Sequence, residues 1–124
     1  MKSIDATLEL YVKNQDGVTE TKQPCKLYYG DTAYNIYYDE LLDEERPPVK
    51  THLKFEDGTL CVTRSGEYGA CMKFYEGETQ KIAYNTPFGV LDIEILTKSI
   101  SFNFDEQAKI IKIYLDTLRI DNEA

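Results

Sequence analysis

A chain of 124 residues with a formal charge of −8 and an isoelectric point near 4.6 has the length of one domain and repels phosphate backbones and anionic lipid heads over most of its surface. No CxxC spacing joins Cys25, Cys61 and Cys71, and the one histidine, His52, cannot complete a zinc set, so free thiols and no metal or other cofactor are expected. No apolar stretch follows Met1, so the expectations are a single domain over 1–124, a cytoplasmic location, and neither nucleic acid nor membrane as a partner.

Ile4, Ala6, Leu8, Leu10 and Val12 alternate with polar neighbours, the pattern of a half-buried strand. Asp16-Gly17 supplies a tight turn into a second strand over 18–29, and Gly30-Asp31 turns into a third over 33–39. The acidic run from Leu41 ends in Pro47-Pro48 and reads as an exposed loop. Asp39, Glu40, Asp43, Glu44 and Glu45 lack the oxygen-ligand spacing of a calcium loop, and so read as solvated charges.

Val49, Thr51, Leu53 and Phe55 then face inward and His52 outward, until Asp57-Gly58 reverses the chain. The strand 59–65 puts Arg64 on the same face as Leu60 and Val62. Further strands are predicted over 70–75, 79–86, 90–98 and 100–104. In the 90–98 strand Leu91, Ile93, Ile95 and Thr97 form the inner set. The last segment, 110–120, reads as strand from its β-branched isoleucines, while Ala108, Ile111, Leu115 and Leu118 fit helical spacing as the competing reading. Eight to ten strands joined by short turns predict an all-β, antiparallel meander closing into a barrel, with a two-sheet sandwich as its rival.

Five stretches in order carry a resemblance: Val49-Lys50-Thr51, Val62-Thr63-Arg64-Ser65-Gly66, Met72-Lys73-Phe74 followed by Gly77, Thr86-Pro87-Phe88-Gly89 and Thr97-Lys98-Ser99-Ile100. On these the chain resembles the YwiB-like family of small bacterial proteins. The resemblance implies a calycin-like, that is lipocalin-like, β-barrel, and it implies no reaction. It also implies one more strand beyond Ile120, whose lack would leave the barrel open at that edge.

An inward arginine must have its donors satisfied or keep its charge near water. Arg64 therefore reads either as a barrel-mouth residue bonded to carbonyls, hydroxyls or a carboxylate, or as an anchor for an anionic ligand group; Asp92 and Glu94 face the wrong way to pair with it. Tyr28, Tyr29, Tyr34, Tyr37, Tyr38 and Tyr84 read as sheet packing or as rings lining a cavity. Thr86-Pro87-Phe88-Gly89 reads as a barrel corner or, through Phe88, as a ligand contact. The ligand-binding candidates are Arg64, Tyr34, Tyr38, Tyr84, Phe88 and Thr97. No nucleophile and base stand within reach by pattern, so no enzyme is expected. The leading expectation is a barrel holding a small, partly apolar ligand inside, which a solidly filled interior would disfavour. The alternative is an interaction module or homodimer pairing through an exposed edge strand.

Overall fold

Each alternating segment has one face to bury, and in the computed structural model each becomes a strand. The structure describes residues 1–40, 47–65, 70–86 and 88–120, and for residues 70, 71, 82 and 84–86 the backbone alone. The strands are β1 (Lys2–Asn14), β2 (Gly17–Tyr29), β3 (Ala33–Glu40), β4 (Val49–Glu56), β5 (Thr59–Arg64), β6 (Ala70–Tyr75), β7 (Thr79–Thr86), β8 (Gly89–Asp105) and β9 (Ile110–Ile120). The 110–120 segment is strand rather than helix, as its isoleucines favour: Ile111 and Ile113 are fully buried on one face while Lys112 and Tyr114 are exposed on the other. Gly66 and Pro87 of the resembling stretches lie outside the described residues, as do Asp43, Glu44 and Glu45 of the acidic loop.

The strands form one nine-stranded sheet in the order β6-β5-β4-β3-β2-β1-β9-β8-β7, a nearly closed barrel with no helix among the described residues. Every pairing is antiparallel except β1 with β9, which is parallel. An up-and-down chain sends all its odd-numbered strands the same way, so bringing the first against the ninth imposes a parallel pair. The last strand is thus flanked by β1 and β8 and leaves no open edge. That corrects the expectation of a gap after Ile120.

The sheet's edges are instead β6 and β7, consecutive strands joined through Gly77, whose φ of +80° suits a residue without a side chain. Among the described residues no ladder joins them. The turn is tied elsewhere: Gly77 N donates to Thr97 O at 2.7 Å, and Thr97 N donates to Glu78 O at 3.0 Å.

The two strands predicted over 90–98 and 100–104 are one bent strand. A bulge between Thr97 and Ser99 inserts Lys98 and shifts the inward phase from Ile93, Ile95 and Thr97 to Ile100, Phe102 and Phe104. The core sits inside the curl, where Leu8, Leu27, Ile36, Leu53, Leu60, Ile111 and Ile113 are at most 1% exposed. Each such side chain contributes roughly 1.5–3 kcal/mol of burial. At the end formed by the starts of β1 and β3, rings fill the interior: Phe102 stacks on Phe55 at 4.5 Å and lies 4.7 Å from Tyr34, and Tyr29 meets Phe104 edge-on at 5.3 Å.

Candidate functional site

Four inward polar side chains meet at the opposite end of β3. Tyr38 and Glu40 share a face by alternation, Thr51 is the cross-strand partner of Tyr38, and Arg64 is the cross-strand partner of Thr51. Arg64 Nε donates to Glu40 Oε2 at 3.1 Å and Nη2 donates to Oε1 at 3.0 Å, a bidentate fork with both side chains about one-fifth exposed, 21% and 17%. Tyr38 Oη also donates to Glu40 Oε2 at 3.3 Å. Thr51 Oγ1 lies 3.3 Å from both that oxygen and Val49 O, its single proton serving one of them at a time. Burial, with the Glu40 charge, pushes the Tyr38 phenol well above its ordinary range, so it stays a proton donor.

Arg64 therefore has a carboxylate partner, the one that sequence reasoning placed among solvated loop charges. The missed signal is parity, since Glu40 continues the inward series Ile36, Tyr38.

Beside this cluster the barrel wall opens. The β2–β3 ladder runs from Tyr29/Tyr34 to Lys26/Tyr37 and stops there, although both strands continue. Two residues further along β2 stands Pro24, which has no N–H to offer a neighbour. The separating strands frame a groove of about 740 Å³ lined by Pro24, Cys25 and Lys26 on one side and Tyr37, Tyr38 and Asp39 on the other, with Lys50, Thr51 and His52 continuing its wall on β4. Tyr38 and Thr51 belong to both groove and polar cluster.

The Cys25 thiol is pushed up to about 11 by burial, with Asp5 adding to the shift, which leaves it protonated and weakly nucleophilic at neutral pH. His52 lies on the outward face, as alternation predicts. Its ring stacks on Tyr37 at 4.4 Å with 4° between planes, and its Nε2 is 3.0 Å from Asn35 Oδ1. Burial first, and then the Lys54 charge, lower its pKa below the usual histidine value, so the ring is neutral at pH 7.

The predicted candidates are not brought together. Arg64 and Tyr38 share the Glu40 cluster, and Tyr34 belongs to the ring-filled opposite end. Thr97 is fully buried at the β8 bulge, where its backbone anchors the β6–β7 turn and its Oγ1 has no hydrogen-bond partner among the described residues. Phe88 is 98% exposed on the β7–β8 turn, so it does not line the interior. Tyr84 pairs through its backbone with Leu91 on β8. Of the other tyrosines, Tyr28 and Tyr37 sit on the outer face, in edge contact at 5.6 Å.

Residues 4–121 match the sequence model of a family described as a domain of unknown function, DUF1934. The chain belongs to the DUF1934 family. Within reach of it is the "Uncharacterized beta-barrel protein YwiB" of Bacillus subtilis (strain 168), 34% identical over 84 residues, a stretch that takes in 68% of this chain and 57% of YwiB. The match thus spans less than two-thirds of that relative's length. The crystal structure of YwiB from Bacillus subtilis superposes with a TM-score of 0.61 at 28% identity, covering 85% of this chain and 69% of that one. The barrel fold and the YwiB resemblance agree with this DUF1934 membership. Among the described residues no helix is long and apolar enough to cross a membrane, and no cluster of three or more His, Cys, Asp or Glu is placed to hold a metal ion.

Proposed function

We propose that this barrel binds a small, partly apolar molecule in the groove that opens in its wall between β2 and β3. One observation carries the reading: a groove of about 740 Å³ shares Tyr38 and Thr51 with a satisfied Glu40–Arg64 pair. That volume lies in the range of small-molecule sites, roughly 300–1,000 Å³. The aliphatic and aromatic filling of the interior moves the site from the barrel's centre to its wall. Arg64, held by both oxygens of Glu40, serves as a rigid support for the groove floor rather than as a free anchor for an anion.

The role is non-catalytic. The buried thiol is protonated, and the neutral His52 is held by stacking and by Asn35 rather than poised over a nucleophile. Native mass spectrometry of the protein purified gently from its own cells is the test. The expected spectrum shows a small-molecule adduct that is lost on denaturation and reduced in Asp39→Trp, a substitution at an exposed wall position. A bare monomer from repeated preparations overturns the proposal. A dimer without adduct replaces it by pairing through the β6 or β7 edge.

A further inference from the structure

We infer that the groove's occupant is a planar nitrogen heteroaromatic ring that extends the Tyr37–His52 stack. The inference rests on the binding role proposed above and names the ligand class. The make-up of the wall favours a flat ring over an acyl or terpenoid chain. Apart from Ala6 and Pro24, the described side chains lining the groove are polar, charged or aromatic, or the Cys25 thiol, with no Leu, Ile, Val, Met or Phe among them. The exposed surface of this wall is nonetheless mainly apolar, so a ligand meets ring faces and apolar stems rather than branched aliphatic side chains.

What the wall does offer is a ring platform. Tyr37 and His52 are cross-strand partners, face to face at 4.4 Å and 4°, and Tyr37 remains 46% exposed. His52 covers the β4 side of the Tyr37 ring. On β2 the neighbours of Tyr37 are Tyr28, in edge contact at 5.6 Å, and its cross-strand partner Lys26, at the last rung before the two strands part. A second hollow of about 730 Å³, lined by Met1, Tyr28 and Asn35, meets the groove at Lys26 and Tyr37, so the ring is approached from both sides of that rung. The stack is held in place, because Asn35 fixes the imidazole and Tyr28 abuts Tyr37 at 86°. A platform already ordered loses little entropy when a further ring is added.

The rim carries both kinds of polar partner. Lys26 and Lys50 donate, Asp5 and Asp39 accept, and Lys26 is already tied to Asp5 at 3.0 Å. A mixed rim selects a ligand edge that alternates donors and acceptors, as nitrogen heterocycles do, over a ligand of high net charge.

The test is heteronuclear NMR of the full chain titrated with adenine, lumazine and uracil, with octanoate as the aliphatic comparator. The expected result is that at least one planar ring, at millimolar concentration, moves the His52 ring signals and the amides of 24–26 and 37–39. Octanoate leaves them unmoved. Tyr37→Ala weakens the effect roughly tenfold, while Tyr37→Phe retains it, as stacking on an aromatic face requires. If octanoate moves these signals and the rings do not, the groove still binds ligands and the heteroaromatic assignment falls. If none of the four probes moves them, the assignment falls, while a mass-spectrometric adduct would leave the binding role standing. Equal binding by Tyr37→Ala also overturns it.

Discussion

Glu40 and Arg64 show how far a single side chain's role depends on its neighbours across strands. Arg64→Ala leaves Glu40 mostly buried with its fork removed, and the expected cost is roughly 2–4 kcal/mol in urea unfolding. Glu40→Leu combined with Arg64→Met should recover most of that loss, because removing both charges removes the desolvation penalty as well. A cost below about 0.5 kcal/mol for the single change would show the pair to be no more than a surface contact. His52 yields a second test at this scale. Its pKa is lowered from 6.5 by burial and by Lys54, so the unfolded chain binds the proton more tightly. The contribution to stability is complete above about pH 6.5 and is lost as the pH falls through the lowered folded value. The His52 ring signals, alone in this one-histidine chain, should titrate below 6.5, and Lys54→Ala should raise the midpoint.

At the level of elements, β2 and β8 carry the two departures from regular pairing, and each has a local cause. In β8 the cause is one inserted residue, Lys98, which lets an inward series on odd positions continue on even ones. That phase change is visible in the sequence, although it first reads as two strands. In β2 the ladder to β3 ends at Lys26, two residues short of Pro24, whose missing N–H we take as the cause. Pro24→Val restores a donor and a strand-forming side chain. The expected outcome is an extended β2–β3 ladder, seen as slower hydrogen exchange over residues 23–25, with a narrowed groove and weaker ligand binding. Unchanged exchange there would place the cause of the split in the twist of β3 instead.

For the whole molecule, the parallel β1–β9 pair is the hinge of the topology. It lies inside the sheet, away from both edges, and joins the meander β1–β6 to the β7–β9 unit. Fully buried Leu8 and Ile111 face each other across it. Amides of β1 and β9 should therefore exchange at the rate of global unfolding, and those of β6 and β7, each with one side off the ladder, several orders of magnitude faster. Comparable protection in β6 and β7 would show that the seam is laddered shut.

What the residues determine by themselves follows from period and punctuation. Alternation marks the strands and their inner faces, Asp57-Gly58 turns with positive φ at both positions, and the inward placing of Arg64 is readable because it keeps step with Leu60 and Val62. The five ordered stretches also carry the family. Partners across the sheet are not readable, since cross-strand proximity depends on register and strand order, which local pattern does not encode. Only the tertiary structure joins Glu40 to Arg64, parts β2 from β3, moves the open edge from β9 to β6 and β7, and turns Phe88 outward. Each of these is set by which strand lies beside which, a choice made by the closing of the sheet around its core.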